Sequence, residues 1–121
     1  MALNVIQTNA YEITPVLTIN AQTGTTYTFA LSDSVNTLVT ASNASAIAVT
    51  IPTNSTVPMP VGSVLNIVQT GAGQITVSGA AGVTVTSTGA TAATPKTRAQ
   101  YGVLSLIETS ENNWLALGDI A

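Results

Sequence analysis

The chain has 121 residues, a formal net charge of −3, no His and no Cys, and 6% charged against 45% hydrophobic residues. This length favours one domain with a real core, and the balance of few charges and many apolar groups excludes a disordered protein. Two cations neutralise too few phosphates for a polyanion to bind, so we expect no nucleic-acid partner.

The first 24 residues differ from the remainder of the chain. They are rich in apolar side chains but lack strict alternation, and a turn-forming stretch, Ala21-Gln22-Thr23-Gly24, ends them. We interpret residues 1–24 as an extended N-terminal arm joined to a β-domain of residues 25–121. The alternative is that this segment adds a strand to the domain's own sheet.

Alternating apolar and polar residues predict strands at 26–31, 46–51 and 82–86, each with one face inward. The segments 64–69 and 74–78 flank the short loop Thr70-Gly71-Ala72-Gly73. A loop of this length with two glycines is typical of a β-hairpin. The sequence therefore predicts that these two segments pair as a hairpin.

The second half of the chain contains two loops and a further hairpin. Prolines bracket residues 53–57, which predicts a loop there because proline cannot donate to a strand ladder. Residues 87–97 are small and polar and predict a long exposed loop. The apolar segments 101–108 and 114–117 flank the polar loop 109–113 and predict a second hairpin. The fold class is all-β: an antiparallel sandwich or barrel of about eight short strands.

The scarcity of charge on the predicted strands indicates assembly. Monomeric β-proteins protect their edge strands with Lys, other charges or Pro, yet the two cations of this chain, Lys96 and Arg98, lie in or beside the long loop. Obligate interfaces are also depleted in charge. We therefore expect a homo-oligomer, with a monomer kept in solution by its Thr and Ser residues as the alternative.

Few residues offer chemistry for a reaction or a metal. Catalysis most often uses His or an activated nucleophile beside a base, and Lys96 is the only amine base near any Ser, so we expect no enzyme, no catalytic residue and no cofactor. The carboxylates Glu108, Glu111 and Asp119 match no known calcium loop, so we expect no metal. Arg98 can pair with Glu108 or Asp119. Trp114 is expected in the core, with a sugar-stacking platform as the alternative.

No run of about 18 apolar residues occurs, so we expect no membrane partner. The opening residues lack the basic and apolar regions of a cleaved signal peptide, which predicts synthesis in a cytoplasm.

Several stretches occur in an order that resembles a known family. They are NASAIAVTIP at 43–52, PVGS at 60–63, IVQTGAG at 67–73, GVTV at 82–85, RAQY at 98–101, LI at 106–107, Trp114, and LGD at 117–119. Together they resemble a β-module that recurs in structural proteins of tailed bacteriophages. In that family the module often ends long tail fibres, and it is also similar to the body of small capsid decoration proteins.

The resemblance implies two functions. A module preceded only by an apolar arm is similar to trimeric head cement proteins, so the first expectation is a capsid decoration protein on the virion surface. It would bind the major capsid protein as a homotrimer and stabilise the shell, with arm residues as the contacts: Leu3, Val5, Ile6, Tyr11 and Ile13. The alternative is a tail-fibre, receptor-binding or minor tail module that recognises the host surface through residues 53–57, 88–97 and 109–113.

Overall fold

The structure is a computed structural model that describes residues 16–88 and 92–121. These residues form nine strands and one 3-10 turn (Leu31–Ser34). The strands are β1 (Thr18–Gln22), β2 (Thr26–Thr28), β3 (Thr37–Ala41), β4 (Ile47–Ile51), β5 (Val64–Gln69), β6 (Ile75–Gly79), β7 (Thr84–Thr86), β8 (Val103–Ser110) and β9 (Asn113–Gly118).

The first six strands alternate between two sheets. Strands β1, β3 and β5 are parallel neighbours in the larger sheet, sheet A, whose full order is β1-β3-β5-β8-β9-β7. Strands β2, β4 and β6 are parallel neighbours in the smaller sheet, sheet B. A strand of sheet A and the next strand of the chain, in sheet B, therefore make one turn. Three such turns, β1–β2, β3–β4 and β5–β6, stack on one another.

The predicted second hairpin is confirmed. Strand β8 pairs antiparallel with both β5 and β9, and a tight turn with Asn112 at φ 61° joins β8 to β9. A residue with positive φ is suited to such a turn. Strand β7 pairs parallel with β9, so the hairpin lies between β5 and β7 in sheet A.

One hydrophobic cluster joins the inward faces of the two sheets. Register places Val39 beside Ile67 in sheet A and Val49 beside Val77 in sheet B, and all four side chains are fully buried. Phe29, Met59 and Trp114 are buried in the same cluster. β-branched side chains suit this arrangement because they are stiff at χ1 and pack well on a pleated surface.

The predicted first hairpin is wrong. Strand β5 lies in sheet A and β6 in sheet B, so the loop between them crosses from one sheet to the other. This loop, residues 70–74, packs on the corner loop of the preceding turn, residues 42–46 between β3 and β4. There the Gly73 N–H donates to the Asn43 carbonyl at 2.7 Å. A Cβ on Gly73 would lie 1.8 Å from the Ser45 carbonyl oxygen. The glycine therefore allows two loops to stack closely. A short loop with two glycines is also typical of a hairpin turn, so the local sequence fits both arrangements.

The all-β prediction is confirmed, but the predicted antiparallel arrangement is wrong for most strand pairs. Five strand pairs of the described residues are parallel and two are antiparallel. Alternation along one strand predicts which side chains face inward, and it carries no information on the direction of the neighbouring strand.

The last part of the predicted arm contributes to the sheet. Residues Thr18–Gln22 form β1, which pairs in register with β3, as the alternative interpretation of this segment anticipated. The five predicted contact residues, Leu3, Val5, Ile6, Tyr11 and Ile13, lie outside the described residues. The arm thus remains a prediction for residues 1–15. The predicted loop at 53–57 is confirmed between β4 and β5.

Candidate functional site

The outer face of sheet A is a broad apolar surface, which we call the apolar face. Its side chains come from alternate positions of five strands, on the side opposite the core. They are Ile19, Leu38, Val64, Val68, Val103, Ile107, Leu115 and Leu117. Register aligns them in rows: Val64 lies beside Ile107 and Ile107 beside Leu115, while Ile19 lies beside Leu38.

Most of the apolar face is accessible in the described part of the chain, although Val68 is buried. Ile19 is 57% exposed and Leu117 is 46% exposed, and Val64, Val103 and Leu115 are also exposed. No strand position on this face carries a charged residue in the ranges 16–88 and 92–121. Large apolar surfaces of this kind mark interaction sites on proteins, whereas apolar side chains scattered singly do not.

The outer face of sheet B has different chemistry. Register forms two short rows there, Thr26–Ala48–Thr76 and Thr28–Thr50–Ser78, which present only small and hydroxyl-bearing side chains. The Lys96 amine donates to the Thr76 hydroxyl at 3.3 Å. Residues 95–97 run beside β6 and pair with it through backbone hydrogen bonds. The two outer faces are therefore suited to different surroundings.

A network of hydrogen-bonded polar side chains lies at the β1 end of the stacked turns. The Tyr27 hydroxyl donates to Asp33, and the Asn20 amide donates to the Tyr27 oxygen at 2.8 Å and to Asp33 Oδ1 at 2.9 Å. The Ala30 N–H also donates to Asp33 Oδ2, at 2.8 Å. Partial burial, and next the hydrogen bond to Asp33, raise the pKa of Tyr27 to about 12. This network joins β1, β2 and the 3-10 turn, and its partners explain how a carboxylate is buried there.

A second buried network holds the β5–β6 crossover. The Thr97 hydroxyl donates to Gln69 Oε1 and accepts from the Ile75 N–H at 3.0 Å. The Gln69 amide donates to the carbonyl of Gly71 at 3.0 Å. Because these polar groups satisfy one another inside the protein, we assign them a structural role.

The sequence-predicted chemical groups are dispersed. Arg98 pairs with Asp119 at 2.7 Å on the surface, and this carboxylate raises the pKa of Arg98. Glu108, in contrast, is buried at the other end of β8, where its Oε2 accepts from the Asn112 N–H at 3.2 Å. In the described ranges no group of three or more His, Cys, Asp or Glu side chains is close enough to hold a metal. The same residues enclose no pocket.

Trp114 lies in the core, with 3% of its surface exposed, so the core prediction is confirmed. Two of the three loops considered for host recognition meet, because the Asn54 N–H donates to the Asn112 side-chain oxygen at 2.8 Å. In the third loop, residues 95–97 pair with β6 instead.

The apolar face was missed by sequence reasoning, although a signal for it exists. The runs at 64–68, 103–107 and 114–117 hold apolar residues at consecutive positions, so both faces of β5, β8 and β9 are partly apolar. Such runs indicate strands that are covered on both sides.

Comparison with known proteins gives no relative for this chain. No protein-family model matches it, and no curated protein or solved structure matches it either. No helix among the residues described here is long and apolar enough to cross a membrane.

Proposed function

We propose that this chain is a bacteriophage capsid decoration protein, which binds the major capsid protein on the outside of the head as a homotrimer and stabilises the shell. The observation that carries the proposal is the apolar face, an uncharged sheet surface on a body with few charges. This surface suits a protein whose role is to assemble with other protein chains. In this proposal the chain acts by binding, without catalysis or a cofactor.

The phage resemblance supports the proposal through the positions that carry it. The stretches at 43–52 and 67–73 contain most of the two stacked loops, the whole of β4 and the end of β5. Gly71 and Gly73 pack there against the backbone of residues 43–45. The resemblance therefore involves residues that determine how the turns of chain stack, as well as surface residues.

We infer that the two sheets form a sandwich. Inward side chains of both sheets belong to one core cluster, and β1 and β7 lie at opposite edges of sheet A. A barrel would need those edges to pair. A sandwich leaves the outer face of each sheet free for contacts.

The proposed mechanism is thermodynamic. A subunit that binds only the mature shell stabilises it by mass action, by an amount that grows with the logarithm of the free subunit concentration. Three linked subunits gain avidity, because the second and third contacts form at high effective concentration. The arm residues are the proposed contacts, by adding a strand to an exposed sheet edge of the shell.

Copy number in purified particles tests this assignment. Decoration predicts hundreds of copies per virion, and densitometry of this chain against the major capsid protein measures the ratio. A count of only a few copies would contradict decoration and favour a tail location.

The arm is tested with variants that leave the described strands intact. Deletion of residues 2–15 ends just before the described residues and spares β1. We expect this variant to keep the β-domain folded and to lose binding to undecorated heads. Replacing Leu3, Val5 and Ile6 by Ser should weaken binding, whereas the neighbouring polar replacements of Asn4, Gln7 and Thr8 by Ser should not. Saturation of heads by the deletion variant would overturn the arm as the contact.

A tail module that recognises the host surface is the second candidate. The observation that favours it is the contact of Asn54 with Asn112, which brings loop 53–57 and the β8–β9 turn together into one exposed surface. Replacing both residues by Ala should abolish adsorption to host cells if this candidate is correct. Decoration predicts unchanged adsorption.

A further inference from the structure

We propose that the apolar face is a self-association surface, on which two copies of this chain pack their A sheets face to face. The inference goes beyond capsid binding, because it concerns the chain in solution without a shell. The proposed contact joins two chains, so the proposed trimer would have to form through a different surface.

Charge favours a second copy as the occupant. In a twofold contact each residue of a surface faces the same surface on the partner, so a charge on it would be buried against apolar side chains or, near the axis, against its own copy. The strand positions of the apolar face carry no charge in the described ranges, and such a contact meets no repulsion. The Arg98–Asp119 ion pair lies just beyond the end of β9, at the border of the face, and suits the polar rim of an interface.

Chemical matching favours the same face of the partner over another part of it. Five of the eleven exposed large apolar side chains of the described residues belong to the apolar face, while sheet B presents Thr, Ser and Ala on its outer side. An apolar surface is covered best by another apolar surface. Within the described structure, the apolar face of a second copy is the best match.

The size of the face fits a weak contact between two copies. Five strands spaced about 4.8 Å apart, with about five residues of about 3.3 Å each, give about 400 Å² of projected area. Two copies would therefore cover about 800 Å² in total, which is the size of a weak, transient interface. We expect a low affinity that depends on protein concentration.

Two polar residues near the centre of the face form a hydrogen bond with each other. Asn66 of β5 and Ser105 of β8 are register neighbours there, and the Ser105 hydroxyl donates to Asn66 Oδ1 at 2.6 Å. This hydrogen bond persists when the face is covered, which lowers the cost of removing both groups from water.

Sedimentation equilibrium with two matched lysine variants tests the proposal. Leu117→Lys places a charge on the apolar face, and Ala48→Lys places one at an exposed position of β4 in sheet B. We expect the parent chain to pair, as two chains or as six if a trimer also forms, at concentrations approaching about 1 mM. Leu117→Lys should weaken pairing at least about tenfold, and Ala48→Lys should leave it unchanged. A monomeric parent at that concentration, or equal effects of the two variants, overturns the proposal.

Crosslinking gives a second measurement that does not depend on a disruptive variant. The chain has no Cys, so Ser105→Cys and Ser78→Cys each introduce a single thiol, on the apolar face and on sheet B respectively. Packed sheets lie about 10 Å apart, within reach of a short bis-maleimide. We expect rapid dimer formation with Ser105→Cys only. Equal crosslinking, or pairing that appears only after deletion of residues 2–15, overturns the proposal; the second result would mean that the chain's own N-terminal segment covers the face.

Discussion

Glu108 is the residue of the described chain whose burial is least compensated. Its side chain is 2% exposed, and Oε1 is buried without a hydrogen-bond partner, whereas Oε2 accepts only from the Asn112 N–H. A buried carboxylate that lacks partners loses hydration without full compensation. The residue therefore lowers the stability of the fold while it anchors the β8–β9 turn.

Replacing Glu108 by Gln should stabilise the protein. The amide keeps an oxygen that accepts from Asn112 and removes the buried charge, so we expect the free energy of unfolding at pH 7 to rise by about 1–3 kcal/mol. Urea denaturation measures this change. The matched control is Glu111→Gln at the exposed tip of the same hairpin, which should change stability by less than about 0.5 kcal/mol. A loss of stability in Glu108→Gln would contradict the inference that burial of this carboxylate is poorly compensated.

Tyr27 acts through its hydroxyl, which donates to a buried carboxylate. The Tyr27→Phe variant leaves Asp33 with one donor fewer, and we expect a loss of about 1–2 kcal/mol at pH 7. Tyr101→Phe is the control, because Tyr101 is 70% exposed. Urea denaturation again gives both values. Equal effects of the two variants would contradict the role of the network.

The raised pKa of Tyr27 predicts how the free energy of unfolding changes at alkaline pH. The pKa of Tyr27 is about 12 in the folded chain and about 10 when unfolded, so between these values the folded state binds more protons than the unfolded state. The contribution of Tyr27 is therefore intact below about pH 10 and declines as the pH rises toward 12. Denaturation midpoints between pH 8 and 11.5 should fall more steeply for the parent than for Tyr27→Phe. Parallel curves would contradict the assignment.

At the scale of elements, the corner loops determine how the turns of chain stack. The loops at 23–25, 42–46 and 70–74 join sheet A to sheet B in successive turns. The Asn43 side chain donates to the Thr23 carbonyl at 2.8 Å, and the Gly73 N–H donates to the Asn43 carbonyl. The three loops therefore stack at one end of the molecule, and each is hydrogen-bonded to the next.

Gly73→Ala should be strongly destabilising, by more than about 2 kcal/mol, because the added Cβ meets the backbone of Ser45. Gly24→Ala is a matched control in the first corner loop, where the nearest atom lies at 3.6 Å, an ordinary contact distance. We expect it to have little effect. Thermal or urea denaturation compares them. If Gly73→Ala is tolerated as well as Gly24→Ala, the stacked arrangement of the loops is wrong.

At the scale of the whole molecule, β1 is an edge strand that completes the first turn. It supplies Asn20 to the buried network and pairs with β3 over five residues. Deleting residues 2–22 should therefore destabilise the protein by at least about 2 kcal/mol, while deleting residues 2–15 should retain most of its stability. Equal losses would mean that the described structure depends on residues 2–15. The comparison also separates a folding defect from a binding defect in any truncation of the arm.

The sequence by itself determined the class of the fold and the local position of most strands. Alternation predicted the segments that contain β2, β4 and β7, the flanks of the Gly-containing loop 70–73 predicted β5 and β6, and the prolines predicted the loop between β4 and β5. These predictions succeeded because inward and outward positions, turn residues and proline act over a few residues. The sequence also predicted Trp114 in the core, since a lone Trp in an apolar strand is most often buried.

Only the tertiary structure decided which strands pair and in which direction. The glycines at 71 and 73 suit both a hairpin and a close contact between stacked loops, and the choice depends on residues 43–45, which lie about thirty positions earlier. The apolar face arises in the same way, because five strands distant in sequence bring their outward side chains into one sheet. Strand pairing is a long-range interaction, and a local pattern in the sequence does not contain it.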